Sequence, residues 1–155
     1  MPTTATDRAV LYAFKAEGGR PWYLLLRRAD GLPGAGTWDT IEAVPFPGES
    51  SARAVIRALV DETALDPQGL WALDRAETIF EHAKDLIRIR PVYAALVTGD
   101  ITLIPKHGSS RWLSDREMLS TLKSAQQRAS LEEVNAAVAT AVARGQEPDP
   151  RLRVV

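Results

Sequence analysis

The sequence predicts an α/β chain with a mixed sheet held between helices, and three observations point there. The first half carries short apolar runs of strand length, residues 9–14 (AVLYAF) and 22–27 (WYLLLR). Residues 48–65 (GESSARAVIRALVDETAL) place apolar side chains at the helical period. The last third holds two serines that each precede a glutamate by three residues, Ser114 with Glu117 and Ser130 with Glu133, the signature of a capped helix start.

Taken in order, the runs at 9–14 and 22–27 are separated by Glu17-Gly18-Gly19-Arg20-Pro21 and read as a hairpin with a longer loop. Arg27 and Arg28 close the second strand, and alternation lets only one of them point toward the helix that follows, as a phosphate contact or as a solvated strand end. Residues 31–36 (GLPGAG) form a loop that shapes a substrate mouth or simply covers surface. Residues 38–44 read as a strand leading into the preset turn Pro45-Phe46-Pro47-Gly48.

In the helix, Ala52, Val55, Ile56, Leu59 and Thr63 draw the buried stripe, and Arg57, Ala58, Asp61 and Glu62 occupy the other side. Residues 66–69 (DPQG) are expected to end it. Strands are expected over 70–80 and 86–97, the second with a bulge or edge at Pro91, joined by the loop 81–85 (EHAKD). Residues 100–104 are one more strand candidate. A helix from Ser130, closed by Gly145, would bury Val134, Ala137, Val138, Ala141 and Val142. The organisation is one domain over 9–145, with an N-terminal tail 1–8 and a C-terminal tail 146–155 whose Val154 and Val155 could pack on a partner.

Composition narrows the classes. With 155 residues, 45% hydrophobic and 25% charged, the chain is long enough for one full core and too short for two domains. A net charge of -1 gives no field for duplex nucleic acid or anionic lipid. The absence of cysteine excludes disulfides, thiolate nucleophiles and Cys-type zinc sites. Residues 1–8 lack the apolar run of a signal peptide and no stretch reaches membrane-span length, so the expected compartment is the cytoplasm.

The stretch from Ala43 to Leu65 resembles the Nudix box, a Gly, five residues, a Glu, seven residues, then Arg-Glu-apolar-any-Glu-Glu-any-Gly-apolar. Glu49, Arg57, Leu59, Glu62 and Leu65 fall on its positions, and Asp61 stands where a Glu belongs. Ala43 and Ala64 stand where glycines belong, and Ala58 stands where the Glu after Arg belongs. Outside the box, the strand at 22–28, Trp38, and the segment Lys106-His107 followed by Arg111-Trp112-Leu113 are similar to the family's flanking segments. The nearest look is to its dATP and dihydroneopterin triphosphate pyrophosphohydrolase branch.

The resemblance implies a Nudix-type α/β/α sandwich and hydrolysis of a pyrophosphate bond in a nucleoside diphosphate linked to another group. It implies Mg2+ or Mn2+ held by box carboxylates, here Asp61 and Glu62, which would also be the catalytic acids. Glu49 and Arg57 would be the structural pair that fixes the loop on the helix, with Arg28 and Lys106 contacting substrate. Lys106 occupies the place of a later family Glu, and either touches a phosphate directly or is an exposed lysine. Homodimers are common in the family. Two functions stay open: a hydrolase with an unusual acid set, drawing on Glu81 or Asp85, or a domain that has lost catalysis and binds a nucleotide or a protein partner.

Overall fold

A computed structural model describes residues 1–155 as a mixed sheet with helices on both faces. Gly18 and Gly19, both at positive φ, close the first hairpin in two residues, a turn of a hand that requires φ above zero at both central positions. Strands β2 (Ala9–Glu17) and β3 (Arg20–Arg28) therefore come closer together than the five-residue loop expected from sequence. Ahead of them β1 (Thr3–Ala5) pairs in parallel with β7 (Leu86–Thr98), so the N-terminal eight residues are tied to the sheet.

The topology contains a fork that positions the site. β2 pairs with β3 only over Phe14–Glu17, and beyond that the two strands diverge. The gap is filled by β4 (Trp38–Asp39), which pairs with β3, and β5 (Ile41–Ala43), which pairs with β2. The other edge of β3 pairs with β8 (His107–Leu113), and β7 runs parallel to β2 and antiparallel to the long β6 (Asp66–Glu81). The expected strand over 38–44 is thus two short pieces that step across the fork.

Two apolar clusters sit on opposite faces of the sheet. One packs helix α1 (Ser51–Thr63) through Ala54, Val55, Ala58 and Leu59 against Leu11, Leu24, Leu26 and Val97. The other packs α2 (Asp115–Thr121) and α3 (Ala125–Val134) through Met118, Leu131 and Val134 against Tyr12, Phe14, Tyr23 and Trp71. The hydrophobic contact of helices on both faces makes this the sandwich that the sequence pattern implied.

Three local expectations differ. Helix α1 ends at a left-handed cap on Ala64, and β6 begins at Asp66, so residues 66–69 start a strand instead of closing a helix. Ser114 forms its capping box with Glu117, but the last helix is capped by Ser124, whose hydroxyl accepts from the Gln127 N–H. Ser130 lies fully buried inside that helix, which runs on through a π-turn at Asn135–Ala139 into α4 (Thr140–Ala143). A serine at a cap and a serine packed mid-helix share the same sequence pattern, and packing decides between them.

The C-terminal residues are also tied. The Val154 N–H donates to the Leu70 carbonyl and the Leu70 N–H donates to the Val155 carbonyl, so the tail expected to be free adds to the edge of β6. No helix is long and apolar enough to cross a membrane.

Candidate active-site cleft

The turn before α1 is built around one ion pair. Gly48 takes φ 79°, and Ser50 caps the helix by accepting from the Arg53 N–H. Glu49 is thereby turned back over the first turns, where Arg57 meets it as a fork: Nε donates to Oε2 at 3.0 Å and Nη2 to Oε1 at 2.9 Å. The Phe46 N–H also donates to Oε1 at 3.0 Å, and the guanidinium lies 3.9 Å from the centre of the Phe46 ring. Arg57, and then the Phe46 amide, hold the Glu49 carboxyl down at about 2. At the far end Ala64 adopts φ 60°, ψ 13°, the conformation for which the resembled box supplies glycine.

The acid face of α1 is turned differently from the sequence expectation. Ala54, Ala58 and Glu62, at i, i+4 and i+8, all lie on the inner side, with Ala58 only 4% exposed among the core residues. Ile56 and Ala52 sit at the margin of that core, and Asp61 is exposed. Of the two carboxylates expected to share a cleft, Glu62 lines it, and Asp61 is solvent-exposed and does not.

Glu62 is met by the segment that follows β7. Residues 100–104, a strand candidate in sequence, instead run along the end of α1, where the Thr102 N–H donates to the Thr63 carbonyl and the Ile104 N–H to the Glu62 carbonyl. These bonds satisfy carbonyls that a helix end leaves open. They also deliver Lys106 and His107 to the Glu62 side chain: Lys106 Nζ lies 3.1 Å and His107 Nε2 lies 2.7 Å from the same oxygen, Oε1. A carboxylate oxygen accepts, so the imidazole presents Nε2–H to it. His107 entered the sequence argument only within the segment similar to the family's flanking residues, and nothing in that segment pointed to Glu62.

A cleft of about 380 Å³ opens at the fork between β2 and β3, lined by Arg28, Asp39, Glu42, Glu62, Lys106 and His107 among others. Strand alternation points Leu26 and Arg28 into it, and Arg27 turns away to Asp30. The Arg28 Nε donates to the Pro33 carbonyl, which anchors the 31–36 loop at the rim and leaves the terminal nitrogens without a protein partner. Asp39 accepts from Gln127 and from the Thr40 N–H. Glu42 is held from behind by Arg8 and Arg90. Arg90 also pairs with the fully buried Glu77 at 2.7 Å, and Glu77 accepts from the Tyr12 hydroxyl at 2.6 Å. Glu42 and Ala43 stand where the resemblance expects two glycines, and the Glu42 side chain occupies part of the cleft mouth.

These residues do not fit a divalent cation. Mg2+ and Mn2+ need several hard oxygen ligands converging on one point. No group of three or more His, Asp or Glu side chains is placed to hold a metal. Ala58 offers no ligand, Asp61 does not line the cleft, and the one box carboxylate that does, Glu62, is paired with an ammonium. Glu81 and Asp85, considered as replacements, lie at the β6–β7 hairpin end, where Glu81 pairs with Arg88 at 3.1 Å and Asp85 takes φ 48°. Neither lines the cleft.

No family model matches the chain, and no curated protein matches it. Solved structures do. The C. elegans Ap4A hydrolase in a binary complex is 22% identical, with 85% of this chain and 96% of that one covered and a TM-score of 0.70. The E. coli dihydroneopterin triphosphate pyrophosphohydrolase is 16% identical, covering 88% and 99% at a TM-score of 0.66. The Nudix domain of Shewanella oneidensis NrtR complexed with ADP ribose is 17% identical, covering 86% and 88% at 0.64. Across nearly its whole length, the chain has the fold of the Nudix hydrolases.

Proposed function

We propose that this chain is a Nudix-fold domain that binds a small nucleotide-type diphosphate in the cleft at the β2–β3 fork, with metal-dependent hydrolysis of the pyrophosphate bond weakened or lost. The observation that carries the reading is the state of Glu62. A carboxylate met on one oxygen by Lys106 and His107 has a cation already in place, and no group of three His, Asp or Glu side chains is placed to hold a metal there. Holding a hydrated Mg2+ there would set a divalent ion beside an ammonium of like charge that already lies 3.1 Å from the Glu62 oxygen.

Support for a nucleotide-type ligand comes from the fold and from the cleft. The three related structures named above are described by Ap4A, dihydroneopterin triphosphate and ADP ribose, all of which contain phosphoanhydrides. Arg28 and Lys106 offer N–H donors to such an anion, and the neighbouring carboxylates Glu42 and Glu62 are each paired with cations.

A second reading is favoured by the unengaged Glu62 Oε2. In it the domain is a slow hydrolase in which Glu62 orients the attacking water and Asp61 adds charge from outside, with Mg2+ or Mn2+ as the cofactor. A phosphate-release screen over nucleoside triphosphates, sugar nucleotides, dinucleoside polyphosphates and coenzyme A, in the presence of Mg2+ and then Mn2+, separates the two. The first reading expects melting-temperature shifts with some of these compounds and no turnover above background. Turnover that is lost in Glu62→Gln would establish the second.

A further inference from the structure

We infer that Lys106 stands in for the metal: the cleft takes phosphate oxygens on Lys106 and Arg28 and binds its diphosphate without any divalent cation. The inference rests on the diphosphate-binding reading above and deepens it by naming the group that neutralises the phosphate.

Geometry carries it. Lys106 extends from the end of the 100–106 segment, whose backbone is pinned at both sides: Ile104 accepts from the His107 N–H, and the Lys106 carbonyl accepts from the Ala29 N–H. Its ammonium is fixed by Glu62 Oε1 at 3.1 Å, and its side chain is 40% exposed toward the cleft. An ammonium has three N–H donors, and Lys106 meets Glu62 as an ion pair at 3.1 Å with no side-chain hydrogen bond of its own, so it has donors to offer phosphate oxygens. His107 Nε2 meets the same Glu62 oxygen at 2.7 Å and helps to hold the carboxylate that the lysine pairs with.

Arg28 completes the site. It lies on β3 opposite His107, the first residue of β8, so Arg28 reaches the cleft beside Lys106, which immediately precedes that strand. Its only side-chain bond is through Nε, which leaves the planar pair of terminal nitrogens that matches two phosphate oxygens. Of the cleft's other acids, Glu42 is balanced by the arginines bonded to both its oxygens, and Asp39 is turned to Gln127 and the Thr40 N–H through Oδ1.

The test is calorimetric titration of ADP-ribose, ADP and inorganic pyrophosphate into the full chain, once with excess EDTA and once with millimolar Mg2+. The inference expects affinities within about twofold of each other in the two buffers, and a loss of about tenfold or more in Lys106→Gln that Lys106→Arg partly restores. Glu62→Gln should tighten binding, because it removes a negative charge from the cleft. Melting curves of each variant identify any that fails to fold, and Arg28→Gln then provides an independent cation deletion with the same expected loss. Binding that requires Mg2+, or that survives Lys106→Gln unchanged, or that disappears in Glu62→Gln, overturns the inference and leaves the binding reading standing. No binding by any of the three probes in either buffer overturns both.

Discussion

Glu49 and Glu62 sit at the two ends of one helix, each held by a basic side chain, and the two pairs behave differently because of what they leave free. Glu49 is closed. Both oxygens are taken, the guanidinium that takes them also donates to the Val44 carbonyl, and the ring of Phe46 covers it. Glu62 is open. One oxygen receives both partners, the other receives none, and the lysine faces a cleft. A satisfied pair serves as a clamp on a loop, and a half-satisfied pair beside a cavity is available to a ligand. On the reading proposed above, the first pair is the clamp of the resembled motif and the lysine of the second takes the place of a metal.

The comparison is sharpened most by the third ion pair, buried behind the cleft. Arg90→Ala would strand Glu77, which is fully buried, and should cost about 3–5 kcal/mol in denaturant unfolding. Next in size is Ala58→Glu. Ala58 is packed among core residues, so the larger side chain should cost about 1–3 kcal/mol through overpacking alone. Combined with Lys106→Glu it would also place three carboxylates near one another. If Mg2+ then raises the melting temperature of the double variant and leaves the parent unchanged, Ala58 and Lys106 together account for the lost metal site.

Ala64→Gly should stabilise the chain by about 1 kcal/mol, because a side chain at φ 60° carries a steric cost that glycine escapes. The smallest effect is expected from Lys106→Gln, under about 1 kcal/mol in stability, since its pair is partly exposed. A large loss of stability there would make Lys106 a structural clamp like Arg57 and erase the distinction between the two ends of the helix.

The clamp has its own signature in pH. The Glu49 carboxyl lies lower in the folded chain, at about 2, than its ordinary value of 4.5. Its contribution to stability is therefore complete above about pH 4.5 and is lost as pH falls toward 2. Arg57→Ala should flatten the stability profile across that window and leave it unchanged near neutrality in shape. A parent and variant with parallel acid limbs would show that the pair does not form.

How much of this could be read from sequence follows from the range of the interactions involved. The span of α1, the turn at Gly48 and the eight-residue separation of Glu49 and Arg57 are local, and spacing alone places them together. The inward turn of Ala58 is not local: the helix rotates to bury Ala54 and Ala58 against the sheet, and an apolar stripe that includes Ala52 and Ile56 fits almost as well. Residues 100–104 have strand composition but bond to the end of α1, where they satisfy carbonyls that the helix leaves open. That choice brings Lys106 and His107 to Glu62, and nothing within either segment announces it. The tails mislead for the same reason, since Thr3–Ala5 and Val154–Val155 find strand partners more than 80 residues away.

The central claim is that an ammonium occupies the position where a divalent cation would be expected, and the most direct measurement is calorimetric titration of Mg2+ and Mn2+ into the purified, nucleotide-free chain. The account predicts no binding at submillimolar concentrations of either ion, with Lys106→Glu/Ala58→Glu acquiring it. Stoichiometric micromolar binding to the parent chain, abolished in Glu62→Gln, would contradict it.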